Sequence, residues 1–159
     1  MKQKNIWGYL KLDSFGVETP FSKSKTEFIG YFHKNNIPID MPSEMQIVVK
    51  SKLLSLDVDF FISFQFNGEK LIDITMSPNT ALEGKVLDCR YNKIQKALEN
   101  ELGHPHNRLR SIMNLLDPDN RLSYWQRDGI KIEHYLLNRF GMEEIINIKL
   151  KKTNQGTVL

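Results

Sequence analysis

The sequence predicts an α+β domain built on a mainly antiparallel sheet of about six strands, with two or three helices packed on it. Apolar and polar residues alternate along several segments, as they do in strands that bury one face. The tight-turn sequences Asn67-Gly68 and Asp128-Gly129 follow or join those segments. Two further segments have apolar residues at helical spacing. Such short connections argue against a doubly wound parallel sheet, whose strands need long crossovers.

The composition fits one globular domain. The chain has 159 residues, of which 40% are hydrophobic and 26% are charged, and domains commonly contain about 100–200 residues. We expect a single domain over residues 1–150 and a frayed polar tail over residues 151–159. The formal net charge of +3 is too small to indicate a nucleic-acid or membrane partner by itself.

The expected location is the cytoplasm. Cys89 is the only cysteine, so the chain has no intramolecular disulfide. The first residues do not resemble a signal peptide, and no run of about 18 apolar residues is present to span a membrane. We therefore expect no membrane association and no cofactor. Cys89 lies near the start of a predicted helix, where the helix dipole would favour a thiolate nucleophile, but a small residue partly buried against the sheet explains it better.

The first third of the chain predicts two strands and a capped helix. A strand is expected from Ile6 to Leu12, ahead of a turn-rich segment. Ser24 and Glu27 form a capping box before apolar residues at helical spacing, so a helix begins there. Pro38 stops it, because proline disfavours helical geometry in the preceding residue. Alternation at Met45–Val49 then indicates the second strand.

The clearest alternation runs from Leu54 to Phe66 and predicts one long strand. Asn67-Gly68 then marks a hairpin. A two-residue turn would pair Ile62 with Asp73 and bring a carboxylate among apolar side chains. A three-residue loop instead pairs Ile62 with Ile72, and we predict this register because burial outweighs local turn preference.

Two helices are predicted next. Asp88 is expected to cap a helix that Gly103 ends. Pro105 blocks its continuation, and a shorter helix is expected at Arg108–Leu116.

A second hairpin and a final strand complete the predicted sheet. A two-residue turn at Asp128-Gly129 pairs Trp125 with Ile132 on one face. A last strand is expected at Ile145–Leu150. Together these patterns predict a core of Phe28, Phe32, Val58, Phe60, Ile62, Phe64, Ile72, Ile74, Ile94, Leu98, Trp125, Ile132 and Ile148.

Histidines are the candidate metal ligands. The chain has no nucleotide-binding loop, no serine-hydrolase elbow and no zinc-protease motif. His104 and His106 lie close together, and a third ligand is available from His134, His33 or Asp117. A hydrolase or transferase site around His104, His106 and His134 is the enzymatic alternative. An exposed polar loop after a helix end explains the first two histidines without any chemistry.

Basic residues concentrate in one third of the chain and form a candidate binding surface of Arg108, Arg110, Arg121, Arg127 and Lys131. Tyr124 and Trp125 lie among them, and arginine with aromatic side chains suits phosphates and bases. A nucleic-acid-binding accessory protein is therefore the second alternative. Acidic residues among these basic residues reduce the local positive charge, and Trp125 is expected in the core. Another protein is therefore favoured over a nucleic acid as the partner.

The second hairpin also carries a resemblance. It contains the pattern Trp125-x-x-x-Gly129-Ile130-x-Ile132-x-His134, followed by Asn138-Arg139-Phe140-Gly141 and a final strand. With the preceding helix, this segment resembles the C-terminal part of small bacterial immunity-like proteins of contact-dependent or polymorphic toxin systems. The resemblance implies a non-enzymatic protein that binds and neutralises one cognate toxin domain. The slightly basic charge favours an acidic or neutral toxin.

Overall fold

The structure is a computed structural model that describes residues 6–106, 121–138 and 141–151. Those residues form two helices and nine strands. In chain order the elements are β1 (Tyr9–Leu12), β2 (Val17–Pro20), α1 (Lys25–Lys34), β3 (Asp40–Ser43), β4 (Gln46–Lys52), β5 (Asp59–Asn67), β6 (Lys70–Pro78), α2 (Gly84–Leu102), β7 (Arg121–Arg127), β8 (Ile130–Asn138) and β9 (Met142–Leu150). The predicted α+β class is confirmed, with more strands than expected.

Seven of the described strands form one antiparallel sheet in the order β3-β4-β5-β6-β9-β8-β7, and β1 and β2 form a separate hairpin. The chain builds the sheet as two meanders, each preceded by a helix: α1 leads into β3–β6, and α2 leads into β7–β9. The last strands of the two meanders, β6 and β9, pair with each other. α2 therefore carries the chain from the middle of the sheet to its far edge.

Alternation along the strands gives the sheet a buried inner face and an opposite outer face. Both helices and the β1–β2 hairpin contribute buried side chains to the core on the inner face. The ring centres of Phe28 and Phe32 on α1 lie 5.2 and 5.7 Å from the ring centre of Phe64 on β5. From α2, Ile94 and Leu98 join the same core.

The long strand predicted from Leu54 to Phe66 is wrong at its beginning, because the chain turns there. Leu54 and Ser55 adopt left-handed backbone conformations, with φ of 58° and 57°. The Ser55 amide donates a 2.7 Å hydrogen bond to the Asp13 carboxylate, which holds the turn in place. β5 begins only after this turn, and Val58 packs on the core while staying partly buried.

The predicted register of the β5–β6 hairpin is also wrong. Ile62 lies opposite Met76 rather than Ile72. Ile72 is instead the extra residue of a β-bulge between Leu71 and Asp73. The bulge keeps Leu71 buried on the inner face and turns Asp73 to the outer face. The apolar side chains of the hairpin are therefore buried without the predicted three-residue loop. Apart from Val58 and Ile72, which are partly buried, the predicted core is confirmed.

Several local predictions are confirmed. Ser24 and Glu27 form the capping box of α1, and Trp125 lies opposite Ile132 across a two-residue turn. The prediction that Asp88 caps α2 is wrong, because the apolar stripe continues toward the N-terminus and the helix begins a full turn earlier. The expectation that Cys89 is partly buried is also wrong, since its side chain lies on the exposed side of α2.

Two predicted segments fall outside the described ranges, namely the short helix at residues 108–116 and, except for Lys151, the tail at residues 151–159. β1 begins later than predicted, at Tyr9, and β9 begins earlier, at Met142. Neither of the two described helices is long and apolar enough to cross a membrane.

Candidate binding surface

The outer face of the seven-stranded sheet is the side opposite the helices. All buried residues of α1 and α2 belong to the inner-side clusters, so no helix within residues 6–106, 121–138 and 141–151 covers the outer face. Some of its side chains are nevertheless well enclosed, since Glu133 and Asn147 are only 8% and 7% exposed. Directly opposed residues share a face, and the strand register therefore arranges this face into rows that cross the sheet.

The first row includes apolar and aromatic side chains. Tyr135 lies opposite Leu122 on β7 and opposite Ile145 on β9. Further along the row, Phe61 lies opposite Ser77 and is 48% exposed. We call Phe61, Ile145, Tyr135 and Leu122 the apolar row.

The next two rows form a band that is mostly polar and crosses the sheet from β4 to β7. Each residue of a row is the direct cross-strand partner of the next. One row contains Val48, Ser63, Thr75, Asn147, Glu133 and Tyr124, and the other contains Gln46, Gln65, Asp73, Lys149, Lys131 and Gln126. We call these two rows the polar band.

Hydrogen bonds connect the side chains of the polar band to one another. At its centre, Asp73 Oδ1 accepts hydrogen bonds from Thr75 Oγ1 at 3.0 Å and from Asn147 Nδ2 at 2.9 Å. On the side toward β4, Gln46 Nε2 donates to Ser63 Oγ at 2.6 Å. These contacts orient the side chains before any other molecule binds.

Glu133 lies on the β8 side of the polar band, between two cations. The Nζ atoms of Lys131 and Lys149 lie 2.6 and 2.8 Å from its two carboxylate oxygens. Burial alone would raise the pKa of Glu133, but the hydrogen bonds from the two lysines outweigh it and hold the pKa below its ordinary value. The Lys131 ammonium also lies 5.1 Å from the centre of the Tyr124 ring, a cation–π contact.

Asp73 has a different environment from Glu133. No basic side chain of the described ranges lies within ion-pair distance of its carboxylate. Burial raises the pKa of Asp73, against the opposing hydrogen bonds from Thr75 and Asn147 and the opposing charge of Lys149. The Oδ1 atom of Asn147 is also buried, and no described residue donates a hydrogen bond to it. The centre of the band therefore has more acceptors than donors.

A second group of polar side chains is buried on the inner face, between α2 and strands β8 and β9. The His134 ring stacks on Tyr91 with 4.2 Å between centres, and its Nδ1 lies 2.8 Å from Gln95 Oε1. Its Nε2 lies 3.3 Å from Glu144, whose other oxygen accepts a 2.8 Å hydrogen bond from Arg90. Burial lowers the pKa of His134 although Glu144 opposes this, so the imidazole is neutral at neutral pH. We call these five residues the inner polar cluster.

The inner polar cluster is too enclosed to serve as a substrate site. The side chains of His134 and Glu144 are 0% and 1% exposed, and that of Arg90 is 11% exposed. Burial also raises the pKa of Tyr91 to about 12, so its hydroxyl keeps its proton. The cluster adds polar contacts between α2 and strands β8 and β9 to the apolar contacts that Ile94 and Leu98 make with the core.

The histidines predicted as metal ligands have separate environments. His106 lies beside β7, with its Nε2 2.7 Å from the carbonyl oxygen of Gln126. His104 is exposed, whereas His134 belongs to the inner polar cluster. In the part of the chain that the structure describes, no group of three or more His, Cys, Asp or Glu side chains could hold a metal. Asp117, another candidate ligand, lies outside that part.

The described members of the predicted basic surface lie in different places. Arg121 faces the inner side, where its Nη2 donates a 2.7 Å hydrogen bond to Oδ1 of Asp88 on α2. Lys131 lies on the outer face, and Arg127 lies beside the β7–β8 turn. Because strands β7 and β8 place alternate residues on opposite faces, the sheet separates Arg121 from Lys131. Two members lie outside the described residues, Arg108 and Arg110.

The polar band was not predicted from the sequence. Its residues come from separate strands, and only the strand order and the bulge at Ile72 bring them together. The alternation of Lys131, Glu133 and Tyr135 along β8 was a usable signal of a polar outer face. A search of protein-family models, of curated proteins and of solved structures finds no match for this chain.

Proposed function

We propose that this protein is a non-enzymatic binding module whose protein partner docks on the outer face of the sheet. The observation that carries the proposal is the presence, on one face, of an apolar row in which the Phe61 ring is exposed, beside a polar band whose side chains already bond to one another. Polar groups that are paired in advance lose less free energy when a partner covers and orders them. Interfaces commonly combine aromatic anchors with satisfied polar groups in this way.

The face is large enough for a specific protein contact. Neighbouring strands lie about 4.8 Å apart, and residues two apart on a strand lie about 6.8 Å apart. Three rows across β4 to β7 therefore cover roughly 29 Å by 20 Å, on the order of 600 Å². Each partner in a stable complex buries about 800 Å², so the three rows with their rim have the required size.

The charges on this face favour a protein over a nucleic acid. Lys131 and Lys149 both bind Glu133. Lys50 lies 4.0 Å from Asp59 at the opposite end of the face. A nucleic acid requires cations that are free to replace its counterions, whereas each of these lysines already has an acidic neighbour.

In its sharpest form, the proposal is an immunity-type protein that binds and neutralises a cognate toxin domain. This form rests on the resemblance of the second hairpin and the final strand to such proteins. The resemblance begins in α2 and includes β7, β8 and β9, and these strands supply half of the proposed docking face.

The test is capture of partners from a lysate of the source cells, using the tagged protein and two variants. Phe61→Glu places a charge in the apolar row. Val86→Glu is the matched control, because Val86 is 61% exposed on α2 and lies away from the outer face. We expect one stoichiometric protein that survives a high-salt wash, is lost with Phe61→Glu and is retained with Val86→Glu.

Each result bears on a different part of the proposal. A captured protein that is toxic alone and inactive in the complex would support the toxin-neutralising form. A partner that binds both variants equally would contradict docking on the outer face. Nucleic acid that is released at high salt would favour the accessory-protein alternative instead.

A further inference from the structure

The cations of the polar band are unevenly distributed between its two acids. Glu133 has two lysine ammonium groups, 2.6 and 2.8 Å from its oxygens. Asp73 has only the hydroxyl of Thr75 and the amide of Asn147 as side-chain donors among the described residues. Lys149 lies directly opposite Asp73 on β9, yet its ammonium binds Glu133. The Asp73 carboxylate at the centre of the outer face therefore makes no ion pair with a cation of the described ranges, although the nearby charge of Lys149 acts to lower its pKa.

Asn147 supplies an independent observation at the same place. The residue is 7% exposed, and its Oδ1 has no hydrogen-bond donor in the described part of the chain. A buried acceptor without a donor destabilises the fold and marks either strain or a missing partner. The Asn147 amide is held in this orientation because its Nδ2 donates to Asp73 at 2.9 Å and to Thr75 at 3.0 Å.

We propose that Asp73 anchors a guanidinium group, which an arginine of the protein partner supplies. This inference rests on the proposed docking function and names the chemistry of its central contact. A guanidinium is planar and binds a carboxylate through two parallel N–H donors, with further donors to spare. When it takes over the Asp73 carboxylate, the Asn147 side chain is released to turn its Oδ1 toward a remaining N–H.

The surroundings of Asp73 suit a guanidinium better than an ammonium group. Gln65 lies directly opposite Asp73 on β5, and its Nε2 donates to Ser63 Oγ at 3.3 Å, so its amide oxygen is a further acceptor in the same row. Several acceptors spread over one region match the fixed fork of a guanidinium. An ammonium is a compact and more strongly hydrated charge, and the nearby ammonium of Lys149 already binds elsewhere.

The test is an NMR titration of the labelled protein with N-methylguanidinium chloride, compared with methylammonium chloride at the same ionic strength. We expect saturable shifts of the Asp73 and Thr75 backbone amides and of the Asn147 side-chain amide. The expected Kd is on the order of 10 mM, as for a single contact of this type. Asp73→Asn, which keeps the shape and the acceptor oxygen, should weaken binding at least about tenfold.

The matched control is Asp59→Asn, which removes another carboxylate of the outer face and should leave the titration unchanged. Equal affinity for methylammonium, an unchanged titration of Asp73→Asn, or no saturable shift at Asp73 would each overturn the proposal. The small probe also separates this proposal from the docking function. If guanidinium binds at Asp73 but no partner is captured, the docking proposal is contradicted and the guanidinium site is not. If a partner is captured but guanidinium does not bind, the guanidinium site is contradicted and the docking proposal is not.

Discussion

The two halves of the sheet share a plan but differ in their interiors. In the N-terminal half, α1 packs on its meander through aromatic rings, and the ring centres of Phe28 and Phe64 lie 5.2 Å apart. In the C-terminal half, α2 contacts β8 and β9 through the inner polar cluster as well as through apolar side chains. Along β8, His134 of that cluster lies between Ile132 of the main core and Leu136 of a smaller apolar cluster.

This difference determines how each half tolerates change. Apolar contacts have no direction, and their strength follows the buried area. A buried polar cluster is favourable only while every member keeps its partner, since one removal leaves a charge or an acceptor unsatisfied. The N-terminal half should therefore respond to lost volume and the C-terminal half to lost partners.

The largest expected effect is in the aromatic interior. Phe64→Ala should lower the free energy of unfolding by about 3–5 kcal/mol, because it removes a fully buried ring and leaves a cavity. Phe61→Ala is the control on the same strand, and it should cost less than about 1 kcal/mol because that ring is 48% exposed. Urea unfolding measures both. Similar losses would contradict the division of β5 into inner and outer faces.

A somewhat smaller loss is expected in the inner polar cluster. Arg90→Ala leaves the Glu144 side chain, 1% exposed, without its cation and should cost about 3 kcal/mol in urea unfolding. Lys149→Ala removes a cation whose side chain is 56% exposed, and it should change stability by less than about 1 kcal/mol. If Arg90→Ala cost no more than Lys149→Ala, the cluster would not hold α2 in place.

His134 should make the C-terminal half sensitive to acid. Burial lowers its pKa from the ordinary 6.5, so the unfolded chain binds this proton more readily than the folded one. The stability linked to this group is present above about pH 6.5 and declines as the pH falls below that value. We expect the urea concentration at the midpoint of unfolding to decrease as the pH is lowered from about 7 to about 5. The decline should be shallower in His134→Gln and unchanged in His104→Gln, whose imidazole is exposed. Equal slopes in both variants would remove His134 as the cause.

The parts of the fold that were predictable depend on local residues. The Ser24–Glu27 capping box fixes the start of α1, and the turn at Asp128-Gly129 is in phase with the alternation on both sides. The turn at Leu54 and Ser55 was missed, because the apolar alternation continues through it. The bulge at Ile72 was missed because the three-residue loop already preserved burial, and the alternation alone did not distinguish that loop from a two-residue turn followed by a bulge.

The candidate site was less predictable than the fold, because it depends on contacts between distant segments. The pairing of Thr75 with Asn147 requires the meeting of β6 and β9, which no local pattern indicates. The inner polar cluster left one usable signal. Glu144 occupies the same phase of β9 as the core residues Ile146 and Ile148, where a carboxylate requires a buried partner.

The smallest expected effect separates the beginnings of the two helices. Ser24 caps α1, and its Oγ accepts a hydrogen bond from the Glu27 amide at 3.2 Å. Glu83, at the N-cap of α2, makes no side-chain capping hydrogen bond. Ser24→Ala should therefore lower the free energy of unfolding by about 1 kcal/mol, whereas Glu83→Ala should change it by less than about 0.5 kcal/mol. Equal effects in thermal or urea unfolding would mean that the aromatic interior alone fixes α1. In that case neither N-cap would contribute to stability, and the two helices would differ only in the side chains that pack between each helix and the sheet.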